Sequence, residues 1–98
     1  MTDRPVVWTV LAEMDLADQI AHIALDSPAS AVTVGDAIVT AAGALAAMPH
    51  QGRAGRIAGT RELIVPHTPH IIVYRAAAER ITILRVLHGA QQWPQRRR

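Results

Sequence analysis

Residues 61–65 (RELIV), 70–76 (HIIVYRA) and 80–88 (RITILRVLH) are three β-rich runs separated only by PHTP and AAE. β-Branched and aromatic residues dominate each run and turn-forming residues bound them, which predicts three strands in a mainly antiparallel sheet. The last run sets Ile81, Ile83, Arg85 and Leu87 against Thr82, Leu84, Val86 and His88. Both rows are largely apolar, and helices packed on a sheet cover only one face. The second face therefore calls for another cover: the C-terminal segment, a bound protein, or both.

Upstream of these strands, residues 49–59 (PHQGRAGRIAG) carry three Gly and two Arg and read as a loop. Before the loop the spacing is helical. Leu16, Ile20, Ile23 and Ala24 recur at three and four residues, with Thr9 placed to cap the helix. Ser27-Pro28 ends that helix and starts a second, which runs to about Met48, before Pro49. Its expected buried stripe is Val32, Ile38, Ala41, Ala42, Leu45 and Met48. So short a connection makes the two helices an antiparallel hairpin. Residues 6–10 (VVWTV) read as a first strand, giving β-α-α-β-β-β, an α+β fold with the hairpin packed on the sheet. One domain accounts for residues 1–98, with a core of about 5–94 and a basic tail at 95–98.

Composition narrows the function classes. The chain has 98 residues, 18 of them Ala, and no Phe, so the core is built from Ala, Val, Ile and Leu. A chain this short buries only about 60–65% of its unfolded surface, and a partner that covers more apolar area would stabilise it. Cysteine is absent, which excludes a disulfide scaffold, thiol catalysis and a zinc-thiolate site. No signal or membrane-spanning pattern stands out, and a cytoplasmic location is expected. The formal net charge of +2 hides a split, because the acidic residues gather in the first half and nine of the ten Arg in the second, with no Lys. Clustered Arg suits a polyanion or an acidic protein partner.

Several residues are placed for chemistry. The Gly/Arg loop offers backbone N–H groups together with Arg53 and Arg56, although it lacks the Gly-Lys-Ser/Thr of a nucleotide loop. Arg61, Arg75 and Arg85 stand one per strand, and if they converged on one face they would stabilise a phosphoryl transition state. His88, expected to face away from the Ile81–Ile83–Arg85 row, either serves as a general acid or base or caps the strand end. His67 and His70 flank a Thr-Pro turn with no carboxylate or Cys beside them, so no metal site is assigned, and no cofactor is expected. Trp93 is expected to fold back as an apolar plug.

The combination of Trp8-Thr9, Ala12, Asp15-Leu16, Ile20 and Pro28 with Leu45, Pro49, Gly52-Arg53, Gly55-Arg56 and the block Gly59-Thr60-Arg61-Glu62-Leu63-Ile64-Val65, followed by Ile72-Val73-Tyr74-Arg75, Ile83-Leu84-Arg85-Val86-Leu87-His88-Gly89-Ala90 and Trp93-Pro94, resembles the RelE/ParE toxin superfamily over roughly residues 5–94. The resemblance implies a RelE/ParE-like fold and the toxin of a bacterial type II toxin–antitoxin pair. Its partner would be a small antitoxin with a DNA-binding part and an acidic or amphipathic neutralising segment. Operator DNA would then be reached only through that antitoxin, in a hetero-oligomeric complex.

The superfamily has two branches with different targets. In a ParE-like reading the protein inhibits DNA gyrase, and so replication, without being an enzyme. Arg53, Arg56, Arg75 and Trp93 then contact the target. In a RelE-like reading it is a ribosome-dependent, metal-independent mRNA endonuclease. Arg61 and Arg85 then hold the scissile phosphate, His88 moves protons, and Arg53 and Arg56 grip RNA. The chain departs from the RelE pattern, because the Lys-rich cluster is missing and no Tyr follows the last strand, which favours the ParE-like reading. A third reading is a non-toxic regulator that binds antitoxin only.

Overall fold

The computed structural model describes residues 3–89 and 91–94. Strand β1 (Val6–Trp8) leads into α1 (Val10–Asp26) and α2 (Pro28–Ala44), followed by β2 (Arg53–Ala54), β3 (Arg61–Ile64), β4 (His70–Ala76) and β5 (Ile81–His88). The sheet order is β1-β5-β4-β3-β2, with β1 parallel to β5 and the other pairs antiparallel. The α+β layout matches the expected one. The addition is β2, two residues of the Gly/Arg loop that pair with β3, Arg53 opposite Glu62.

Two hydroxyl caps set the hairpin. Thr9 Oγ1 accepts from the Ala12 N–H at the start of α1, and Ser27 Oγ accepts from Ser30 N–H at the start of α2, with Pro28 in the first turn. Regular helix in α2 ends at Ala44 rather than Met48. Three-residue hydrogen bonds from Leu45, Ala46 and Ala47 tighten the chain into a turn ahead of Pro49.

The buried face of α2 also differs from expectation. It is Ala31, Gly35, Ile38, Ala42 and Leu45, whereas Val32 and Met48 are 64% and 58% exposed. Small residues face inward because α1 lies close: a Cβ on Gly35 would stand 2.9 Å from Ile20 Cδ1. Close helix approach selects small side chains at Ala31 and Gly35 in place of Val32, while Ile38, Ala42 and Leu45 are buried as expected.

The central core lies between hairpin and sheet, where Ala12, Ile38, Leu45, Leu63, Ile72, Tyr74, Ile81, Ile83 and Val86 pack together. Tyr74 is fully buried and keeps its hydroxyl satisfied, donating to Pro49 O at 2.9 Å and accepting from Gly52 N–H at 2.8 Å. A Cβ on Gly52 would collide with that ring, so the glycine lets the loop backbone approach it.

A β-bulge changes the reading of β5. Val73 pairs with Arg85 and Tyr74 with Ile83, which leaves Leu84 as the extra residue. Strict alternation fails there. The row facing the helices is Ile81, Ile83 and Val86, with His88 following it opposite His70, while Arg85 and Leu87 turn to the other face. The expected Ile81–Ile83–Arg85–Leu87 row is thus corrected, and His88 lies on the same face as the isoleucines. On the far face Ile71, Val73 and Leu87 form a second cluster with Leu84, and Trp93 packs over them as the expected plug.

The edge of β5 is closed in an unusual way. Pairing with β1 stops at Trp8 opposite Ile83. Beyond it, α1 supplies side chains in place of a strand. Thr9 Oγ1 donates to Leu84 O (3.1 Å), Asp15 Oδ2 accepts from Val86 N–H (3.0 Å), and Gln19 Nε2 donates to Val86 O (2.6 Å). These bonds satisfy edge groups that would otherwise invite strand addition.

Candidate functional site

Glu62 organises the basic loop. It is 2% exposed, and sits on β3 opposite Arg53 of β2. Its Oε1 meets Arg53 Nη2 at 3.2 Å and Arg56 Nε at 3.3 Å, while Oε2 accepts from the Arg56 backbone N–H at 3.0 Å. Burial by itself raises the Glu62 carboxyl. The Arg56 N–H and the two guanidinium groups together outweigh it and hold the group below the usual carboxylate range. Both Arg side chains remain about half exposed, so each is aimed by the carboxylate yet still reaches solvent.

The same face carries the plug. Arg56 Nη1 donates to Trp93 O at 3.1 Å, and the Arg85 guanidinium lies 5.4 Å from the Trp93 ring centre. Arg75 shares this face by register, two residues beyond Val73, and is exposed with no hydrogen bond or ion pair among the described residues. Arg53, Arg56, Arg75 and Trp93 thus lie on one face of the sheet, although they come from a loop, a strand and the chain's last described turn.

The residues singled out for catalysis are not brought together. Arg61 pairs with Tyr74, on the helix-side face, and donates to Gly52 O at 2.8 Å, so it braces the loop. Arg75, the next residue along β4, points to the opposite face, and the three strand arginines do not converge. Arg85 is held by Asp15 through two bonds of 2.7 and 3.0 Å. That carboxylate raises the guanidinium further above its ordinary value, against the opposing effect of burial. His88 lies at the far end of β5 opposite His70, four residues along β4 from Tyr74, a span of about 14 Å.

His88 and His70 meet edge-on, with ring centres 5.7 Å apart. Burial, and secondarily the neighbouring His88, lowers the His70 imidazole below its ordinary range. Among the described residues no group of three or more His, Cys, Asp or Glu is placed to hold a metal ion, and no helix is long and apolar enough to cross a membrane. The tail at 95–98 lies outside the described residues.

Sequence reasoning missed Glu62, Asp15 and Gln19 as organisers. A lone acid inside an apolar strand beside an Arg-rich loop was the available signal for Glu62. Asp15 and Gln19 act on the edge of a strand some 70 residues away, and helical periodicity places them on a solvent face.

Comparison with known proteins gives the family. The family model described as "ParE toxin of type II toxin-antitoxin system, parDE" matches residues 6–93. The chain is 43% identical over 95 residues to "Putative toxin Y4kP" of Sinorhizobium fredii (strain NBRC 101917 / NGR234), covering 97% of this chain and 98% of the relative. It also superposes on a chain of "Chromosomal ParDE TA system from P. aeruginosa" with a TM-score of 0.78 and 27% identity, covering 87% of this chain and 95% of that one. The match runs from the first strand to the tryptophan plug, and the chain belongs to the ParE family of type II toxin–antitoxin toxins.

Proposed function

We propose that this ParE-family toxin acts by binding rather than by catalysis: it inhibits DNA gyrase in the cytoplasm until a cognate antitoxin neutralises it. The observation that carries the reading is the disposition of the charged side chains. Arg61 braces a loop on one face, Arg85 is neutralised by Asp15, and His88 stands at the other end of β4, so these three form no common phosphate site. General acid–base chemistry needs its groups within hydrogen-bond reach of the reacting atoms. Arg53, Arg56, Arg75 and Trp93, by contrast, share a face on which the basic groups reach solvent.

A cognate antitoxin fits the surface that the fold leaves apolar. Val10, Leu11, Met14, Val32 and Val39 are exposed large side chains on the hairpin, and covering them would stabilise a small domain. The ParDE relative is described as a toxin–antitoxin system, which supports the same partnership for this chain.

The direct test is inhibition of gyrase supercoiling by the purified toxin. Arg75→Glu, which has no internal bond to lose, is expected to weaken inhibition at least tenfold, whereas His88→Ala leaves it unchanged. Full inhibition by Arg75→Glu would remove this face from the contact. Ribosome-dependent mRNA cleavage that His88→Ala abolishes would replace the binding reading by the endonuclease one.

A further inference from the structure

The apolar and the basic surfaces of this toxin lie on opposite sides of its sheet. Val10, Leu11, Met14, Val32 and Val39 are the large side chains left exposed on the hairpin. The other face presents Arg53, Arg56 and Arg75, and its apolar cluster of Ile71, Val73 and Leu87 is already covered by Leu84 and Trp93. Val7 and Ile64 are the exposed large apolar groups on that face among the described residues, and they stand on separate strands. A protein interface is anchored on a buried apolar centre, which this face does not offer.

What it offers is positive charge spread as a band. Arg53 is tethered by Glu62, and Arg56 is held between Glu62 and Trp93 O. Arg75 lies against the loop, where a Cβ on Gly59 would stand 4.0 Å from its Nε. The Cα atoms of Arg53 and Arg75 are about 12 Å apart, two strands across and two residues along. The carboxylates that would cancel this charge, Glu62 and Asp15, are largely buried and already bonded to guanidinium groups. All ten basic residues are arginine, whose planar fork pairs with phosphate through two parallel bonds. Three more, Arg96, Arg97 and Arg98, follow the plug in sequence.

The aromatic side chains decide which polyanion fits. Proteins that grip single strands stack bases on free aromatic rings. This chain has Trp8, Tyr74 and Trp93 and no Phe. Tyr74 is fully buried, Trp8 packs on the central core, and Trp93 lies on the second cluster beside Arg85. None is left as a platform for a base, so the band suits the outside of a duplex.

We propose that the Arg53–Arg56–Arg75 face binds the phosphate backbone of double-stranded DNA without reading its sequence. Resting on the gyrase reading, this makes the DNA the duplex that gyrase holds, yet the contact itself needs no gyrase.

The test follows the fluorescence anisotropy of a short labelled duplex titrated with the purified full chain, without gyrase, at about 50–200 mM salt. Saturable binding is expected, equal for two unrelated sequences. A variant with Arg96, Arg97 and Arg98 replaced by Ser isolates the face. Its log association constant should fall against log salt with a slope of about −2.7, or about 0.9 for each of three phosphate contacts. In that background Arg75→Ala should lower the slope by about one and weaken binding about three- to tenfold, and Arg75→Lys should restore the slope. No binding at about 50 mM salt, loss of all binding with the three tail arginines, or a slope that Arg75→Ala leaves unchanged would overturn the proposal. Equal or tighter binding of an oligothymidylate of the same length would overturn the duplex assignment. Equal binding of a polyglutamate of the same length would replace DNA by an acidic protein. Supercoiling assays separate this contact from the gyrase reading. Inhibition that Arg75→Glu weakens, by a chain that does not bind DNA, overturns the DNA contact and keeps gyrase as the target. DNA binding of the expected slope without inhibition supports the contact and removes gyrase.

Discussion

Removing the Glu62 carboxylate tests how the basic loop is held. Its bond to the Arg56 backbone N–H is charge-assisted and buried at the acid, worth about 1.5–3 kcal/mol. The two pairs with Arg53 and Arg56 involve half-exposed guanidinium groups and add about 0.2–1 kcal/mol each. Glu62→Ala is therefore expected to lose about 2–4 kcal/mol, and Glu62→Gln, which keeps an acceptor, about 1–2 kcal/mol. In urea unfolding this is a midpoint shift of roughly 1.5–3 M for the alanine variant at unchanged slope. The pH dependence gives a second readout. The folded carboxyl lies below its ordinary value of 4.5, so its contribution is fully present above that pH and is lost as the pH falls below it. Glu62→Gln should flatten the stability curve in that acid window and leave the neutral slope alone. A loss under about 0.5 kcal/mol at neutral pH, or an acid limb identical to that of the parent, would refute the clamp.

Two further substitutions probe the supports of the fold. Tyr74→Phe strips the hydroxyl from Pro49 O and the buried Gly52 N–H, and should cost about 1–3 kcal/mol in urea unfolding while leaving the secondary structure intact. Asp15→Ala releases Arg85 and bares the Val86 N–H on the edge of β5. It is expected to cost about 2–4 kcal/mol and to speed amide exchange at Val86 ahead of global unfolding.

What the sequence made legible follows from local physics. Thr9 and Ser27-Pro28 are caps whose chemistry is written in adjacent residues, and three β-rich runs with tight breaks define their own strands. The apolar second face of the last run correctly called for a cover, and Trp93 supplies it. The errors have one source, which is packing between distant elements. Hydropathy ranks Val32 above Ala31, but the nearness of Ile20 to Gly35 decides that small residues face inward. Alternation along β5 breaks at Leu84, the extra residue of the bulge, beside which Thr9 and, from α1, Asp15 and Gln19 hold the strand edge. That bulge moves Arg85 and His88 together to faces opposite those expected: Arg85 leaves the face that Arg61 occupies, and Arg85 and His88 stay on opposite faces of β5. The face carrying Arg53, Arg56, Arg75 and Trp93 was visible as a list of residues, whereas the acid that organises it was not.

The proposed action of this toxin is to occupy gyrase and not to cut RNA. Pulse-labelling after brief induction without antitoxin, following DNA and protein synthesis separately, distinguishes the two. Early loss of DNA synthesis with a DNA-damage response, translation declining later, is the expected result. Immediate loss of translation with DNA synthesis falling only afterwards would contradict it.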